Sequence, residues 1–229
     1  MSDLQPQVEQ LVQTLREGAN EAFAQKMAYF GIDASQALGW RTPALKELAK
    51  PHRKNHSLAM ALFEQPYHEA KLLAAFTGNS KEITLAQADS LTHQFYSWDL
   101  VDQFCGNLFA KASFAWELPE RYTGDDREFV RRTGMVMVVQ LALKHKKSPD
   151  EDLLPFLPQL AKYATDPRNF VKKANSWALR TLGKRSLFLN QAVQELAQNL
   201  KTKQDAPSRW VAGDVLREIT QEKYLQKLR

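Results

Sequence analysis

Apolar residues recur at intervals of three and four along most of the chain, and this period predicts α-helices. The pattern gives helices over residues 4–16, 20–30, 43–54, 57–65, 68–77, 82–95, 98–112, 127–145, 150–164, 168–183, 187–200 and 208–220. No segment alternates β-branched and polar residues between hairpin turns, so the expected fold is all-α. Prolines fall where helices should begin, as in Thr42-Pro43, Ser148-Pro149 and Ala206-Pro207-Ser208. Proline is tolerated in a first turn, and the residue before it resists helix.

The helix at 168–183 has two dissimilar faces. Steps of three and four from Phe170 collect Lys173, Trp177, Arg180 and Lys184, whereas Val171, Ala174, Ala178 and Leu182 lie on the opposite side. The second group belongs to a core. The first places two aromatic rings among three cations, which suits a polyanion whose phosphates are neutralised while its sugars and bases are touched.

Part of this helix is repeated. Asp126-Arg-Glu-Phe-Val-Arg-Arg132 recurs as Pro167-Arg-Asn-Phe-Val-Lys-Lys173, with Phe129 and Phe170 41 residues apart. A fainter copy, Ser208-Arg-Trp-Val-Ala212, puts Trp210 a further 40 residues on. Such spacing belongs to stacked two-helix repeats of the HEAT or armadillo kind. The expectation is therefore a helical solenoid forming one domain over 1–229, with a concave basic surface on which Phe129 and Arg132 lie alongside Phe170 and Lys173.

Charge sharpens that picture. The net charge of +5 divides into 9 basic against 12 acidic residues in 1–109 and 22 against 14 in 110–229, so the half that carries the repeats is the basic one. Cys105 is the sole cysteine, which excludes a disulfide framework and a cysteine zinc site and suits a reducing compartment. The N-terminus lacks the basic and apolar regions of a signal peptide. The densest apolar run, Met135 to Val139, is too short to span a bilayer, so a cytoplasmic protein is expected. Histidines 52, 56, 68, 93 and 145 show no metal-binding spacing. Phosphate-binding glycine loops and a nucleophile elbow are likewise missing, so neither metal nor cofactor is expected.

A second chemical candidate is Ser97-Trp-Asp-Leu-Val-Asp102, which opens a helix whose apolar face is Val101, Phe104, Cys105 and Leu108. Trp98 and Asp102, four residues apart, should be neighbours. In the plain reading Asp99 favours the positive helix start, Trp98 anchors the core and Asp102 is a surface charge. In the sharper one, a carboxylate beside an indole stabilises positive charge on a sugar.

Ser-Trp-Asp-Leu-Val-Asp at 97–102, Phe-Val-Arg-Arg at 129–132, Asn-Phe-Val-Lys-Lys-Ala-Asn-Ser-Trp-Ala-Leu-Arg at 169–180 and Gly39-Trp-Arg-Thr-Pro-Ala-Leu-Lys46 together resemble the AlkD-type DNA alkylation repair proteins. The resemblance covers most of the chain. It implies an all-helical HEAT-like solenoid that acts without a metal, its active members being glycosylases that remove cationic N3- or N7-alkylated purines from duplex DNA. It assigns Asp102 as the catalytic carboxylate, Trp98 and Trp177 as indoles against the lesion-bearing nucleotide, and Arg132 as an arginine near the phosphates. Phe170, Lys173 and Arg180 fall on the same wall, and Lys184 extends its cations. Ser97 departs from the pattern, standing where some active members have another tryptophan, which implies a thinner aromatic wall.

The implied chemistry needs few groups. A cationic purine is already a good leaving group, so one carboxylate near C1′ suffices to stabilise an oxocarbenium-like sugar, as in glycoside hydrolysis. Each indole face adds about 0.5–2 kcal/mol of cation–π attraction. The resulting expectation is a monomeric, monofunctional glycosylase. A noncatalytic solenoid that binds bent or branched DNA by shape is the alternative, and a protein-interaction scaffold is a third reading.

Overall fold

The computed structural model describes residues 4–228, and every regular element among them is helical. The residues group into two compact units, Met1–Ser113 and Phe114–Arg229. The first contains α1 (Leu4–Glu17), α2 (Glu21–Tyr29), α3 (Thr42–Ala49), α4 (His56–Phe63), α5 (His68–Thr77), α6 (Leu85–His93) and α7 (Trp98–Asn107). The second contains α8 (Leu118–Thr123), α9 (Glu128–Lys144), α10 (Phe156–Lys162), α11 (Asn169–Gly183), α12 (Leu187–Lys201), α13 (Ala206–Ile219) and α14 (Glu222–Leu225).

Local chemistry sets the boundaries. Asn20, Asn55, Ser186 and Asp205 each accept a hydrogen bond from a backbone N–H in the first turn of the helix they precede, and Thr84 with Gln87 forms a reciprocal capping box. These caps shift the starts of the predicted 82–95 and 208–220 helices by a few residues. The predicted 43–54 helix stops at Ala49 and tightens into a 3₁₀ turn around Pro51. The predicted 150–164 helix, interrupted at Pro155, becomes two 3₁₀ turns flanking the seven residues of α10. Two short helices, α8 and α14, escaped the periodicity because six and four residues are too few to establish one.

In the first unit α5 is central, lying against α3, α4 and α7. Its second residue, Glu69, is fully buried, and its carboxylate accepts from the backbone N–H groups of Leu38, Gly39 and Trp40 at 2.8, 2.8 and 3.2 Å. Gly39 has φ +82°, and a Cβ there would lie 2.0 Å from the Asn20 carbonyl oxygen, so only glycine fits the crossing. The Trp40 indole donates to the Leu15 carbonyl at 2.9 Å, tying the segment to α1. Beneath α7, Phe63, Phe95, Phe104 and Phe109 form a contiguous aromatic core with centroids 5.1–6.3 Å apart.

The second unit is built of helical pairs, α8 with α9, α10 with α11 and α12 with α13, with α9, α11 and α13 side by side. This is the architecture the 41-residue recurrence predicts. Helix α9 lies between α8 and α11 and is buried almost all round, which explains its weak amphipathic pattern. Gly134 permits the approach of α8, since a Cβ there would lie 2.4 Å from the Thr123 amide nitrogen.

The repeated sequence has a repeated structural role. Before α9, Arg127 folds back on Asp125 through its amide N–H at 2.8 Å and its guanidinium at 2.9 and 2.6 Å. Before α11, Arg168 treats Asp166 in the same way at 3.0, 3.0 and 2.6 Å. Arg131 of α9 then reaches Asp166 at 2.6 Å and Asp126 at 3.0 Å, while Arg168 donates to the Asp126 carbonyl at 2.6 Å. Burial alone would raise the Asp166 carboxyl, but hydrogen bonds from Arg168 and Arg131 outweigh it and bring the pKa down to about 2. Because this carboxylate holds two repeats together, Asp166→Asn is expected to cost about 3 kcal/mol at neutral pH in urea denaturation. The depressed pKa means that its contribution is complete above the ordinary carboxylate range and is lost as pH falls from about 4 through about 2. The gap between wild type and variant should close over that interval.

Candidate nucleic-acid interface

Helix α11 divides as its sequence predicts. Val171, Ala174, Ala178 and Leu182 are fully buried, whereas Phe170, Trp177, Arg180 and Lys184 are partly exposed and Lys173 is exposed. The Phe170 ring lies against Phe129 of α9, centroid to centroid 5.8 Å with the planes 34° apart. On the far side of α11, Lys172 sits 4.6 Å above the ring of Trp210 on α13. The aromatic positions of the three repeats therefore occur on three adjacent helices.

The cations are less available than their spacing suggests. Arg132 is only 5% exposed and donates to the Phe170 carbonyl at 2.8 Å, so its guanidinium joins α9 to α11 instead of projecting as the surface cation that the resemblance implies. Arg180 hydrogen-bonds Glu218 and lies 3.4 Å from Asp214, and Lys184 hydrogen-bonds the other oxygen of Glu218. Burial would raise the Glu218 carboxyl, yet hydrogen bonds from Lys184 and Arg180 hold it below its ordinary value. Two acids one turn apart on α13, the first also bound by Arg217, thus face two cations one turn apart on α11. Asp214 and Glu218 stand at helical spacing in the sequence, but only the packing of α13 against α11 sets them opposite these cations. Lys173 remains a solvent-exposed cation of the face, with Trp177 one turn away at the mouth of a cavity of about 700 Å³.

In the first unit α7 presents Trp98 and Asp102, both partly exposed. The Trp98 indole N–H donates to the Phe30 carbonyl at 2.9 Å, which fixes the ring at a partly exposed position. Tyr29 and Phe30 beside it are 89% and 57% exposed. Asp99 behaves quite differently from Asp102. It is buried, 2.8 Å from His68 Nε2, and it accepts from the Ser97 hydroxyl at 2.6 Å and the Leu100 N–H at 3.0 Å. Burial would raise its carboxyl, but the His68 hydrogen bond, the His68 charge and the two remaining donors more than compensate and lower it.

His68 is itself fully buried, and its Nδ1 lies 3.0 Å from the Tyr96 hydroxyl. Burial, reinforced by the charges of Asp99 and Glu69, raises the Tyr96 phenol and keeps it protonated. His68 thus bridges the Tyr96 hydroxyl at one ring nitrogen and the Asp99 carboxylate at the other. Sequence reasoning missed this chain of three because His68 and Asp99 lie 31 residues apart and share no local spacing. Ser97 is fully buried and serves Asp99, so position 97 faces inward and is no part of an exposed aromatic wall.

Among the described residues no cluster of three histidine, cysteine or acidic side chains is arranged to hold a metal ion. Among the described residues no helix is long and apolar enough to cross a membrane.

Paired helices, with an aromatic position repeated on the adjacent α9, α11 and α13, define a HEAT-like helical repeat protein. A solved structure described as a new family of proteins related to the HEAT-like repeat DNA glycosylases, with affinity for branched DNA structures, has this fold. It aligns with a TM-score of 0.74 at 17% identity over 91% of this chain and 94% of that one. A designed armadillo repeat protein in complex with a (KR)4 peptide aligns at a TM-score of 0.45 and 18% identity, covering 96% and 94% of the two chains. No curated protein matches the sequence significantly. The family model described as DNA alkylation repair enzyme matches residues 11–202, and the chain belongs to that family.

The two carboxylates of α7 should separate in a stability measurement. Asp99→Asn removes the charge that His68 faces in a buried site and should cost about 2–3 kcal/mol in urea denaturation. Asp102→Asn, at a partly exposed position, should cost less than about 1 kcal/mol.

Proposed function

We propose that the protein is a monofunctional DNA glycosylase that hydrolyses the N-glycosidic bond of cationic N3- or N7-alkylated purines in duplex DNA. It acts as a monomer in the cytoplasm, without metal or cofactor. The observation that carries this reading is the division of labour within α7. Asp99 spends both oxygens on buried donors, whereas Asp102, one turn from the anchored indole of Trp98, is partly exposed.

In this reading Asp102 stabilises the cationic sugar as the purine departs, and Trp98, one turn away on α7, turns its electron-rich face toward it. Lys173 holds a phosphate beside the Phe170 ring. Arg132 acts on DNA indirectly, by fixing the backbone that carries Phe170. Arg180 and Lys184 reach phosphate only by exchanging partners with Glu218, so their contribution is smaller than their number suggests. A carboxylate facing DNA is unfavourable for ground-state binding and favourable once the sugar is cationic, which is the difference catalysis requires.

The second reading is noncatalytic binding of branched DNA, the affinity described for the protein whose fold aligns here. A duplex carrying one N7-methylguanine separates the two. Under single-turnover conditions the wild type should release the base, and Asp102→Asn should release it at least about tenfold more slowly, a barrier increase of about 1.4 kcal/mol, with DNA affinity equal or slightly improved. No release by excess wild-type protein supports the second reading, and equal rates for wild type and variant remove Asp102 from the mechanism.

A further inference from the structure

Helices α10 and α12 form a layer behind α9, α11 and α13, and they leave a groove of about 530 Å³ between them. Leu157 and Ala161 of α10 line it from one side and Ala192, Leu196 and Leu200 of α12 from the other. Steps of four from Phe188 lead through Ala192 and Leu196 to Leu200, so Phe188, 47% exposed, prolongs the same apolar strip. An outer helix ordinarily turns polar residues to water along such a line. Here Phe188, Ala192 and Leu196 are apolar and at least partly exposed.

Charge is unevenly placed along the groove. Lys162, the last residue of α10, and Lys203, just past the end of α12, both border it and are exposed. Lys162 is steadied 5.0 Å from the Tyr163 ring, and the Arg209 guanidinium donates to the Lys203 and Gln204 carbonyls, adding a third cation nearby. Unlike Lys184, neither lysine forms an ion pair with an acid among the described residues. Glu195 stands on the rim midway along the strip between Phe188 and Lys203.

We infer that this groove docks an amphipathic helix of a partner protein, apolar along one face and acidic at the end that meets Lys162 and Lys203. Its size fits one helix. From Phe188 to Lys203 the strip runs about 22 Å, the length of about fifteen helical residues, and packed helices lie about 10 Å apart, the width of a single helix. That footprint of roughly 200 Å² is far below the about 800 Å² per partner of a stable protein dimer, which argues against a second copy of this chain. The apolar strip offers contact to ligand residues at i, i+4 and i+7, the two lysines fix the direction of the helix, and Glu195 disfavours an acid at its centre. The groove lies apart from the faces of α7 and α11 that carry the proposed function, so the inference stands whether or not a base is excised.

The test uses the full chain and a phage-displayed library of helical peptides of about fifteen residues, selected on the wild type and counter-selected on Leu196→Asp. Enriched peptides should carry leucine, isoleucine or phenylalanine at i, i+4 and i+7, with acids at one end. A peptide so selected should bind at least about tenfold more weakly to Leu196→Asp and about fivefold more weakly to Lys203→Glu, a substitution at an exposed position outside the core. Replacing the terminal acids of the peptide with lysine should reverse its preference between the wild type and Lys203→Glu. No enrichment, enrichment without acids, or equal binding by Lys203→Glu overturns the inference. A concentration-dependent dimer in sedimentation that Leu196→Asp abolishes also overturns it, because the occupant is then a second copy.

Discussion

The second unit depends on a carboxylate that two arginines share. Asp166 closes the turn before α11 by binding Arg168, and it accepts Arg131 from α9 at 2.6 Å, so one buried ion fixes both the start of a repeat and its register against the preceding one. Removing two guanidinium groups and a carboxylate from water carries a large desolvation cost. It is offset because each group is multiply bonded: Arg131 also reaches Asp126 and the Thr123 carbonyl, and its plane lies 4.5 Å from the Tyr163 ring. With that register set, Phe129 meets Phe170 and Arg132 reaches the Phe170 carbonyl.

The same stacking explains why the basic face is less basic than its composition. Neighbouring helices at HEAT-like spacing bring side chains within reach of one another, and α13 answers Arg180 and Lys184 of α11 with Asp214 and Glu218. Electrostatics on such a face is set between helices as much as along one. What remains for a polyanion is a sparse set of cations beside aromatic rings, which favours contact with sugars and bases over a purely electrostatic hold.

Helix α7 separates buried from accessible side chains within six residues. Asp99 and Ser97 point inward and join His68 and Tyr96 in a buried chain of hydrogen bonds that seats the helix start. Trp98 and Asp102 sit on the accessible side, and the indole is steadied by the Phe30 carbonyl. A functional side chain on a helix can be placed to within a fraction of an ångström only if the helix cannot slide, and the buried chain opposes that sliding.

The sequence by itself determined that the chain is helical, where most helices begin and end, that two-helix repeats occur at 41-residue spacing, and which face of α11 is core. These features follow from local rules: periodicity, caps, proline and recurrence all act within a few residues. It also singled out Trp98, Asp102, Phe170, Lys173 and Trp177, each of which lies at an accessible or partly accessible position. Tertiary structure alone decided which charges are spent. Arg132 became a buried strut, Arg180 and Lys184 acquired acidic partners 34–38 residues away, and Asp99 was claimed by a histidine 31 residues earlier. The reason is physical. Side-chain periodicity reports which face a residue occupies, but the state of a charge depends on what the neighbouring helix places opposite it, and that is set by packing register across the fold.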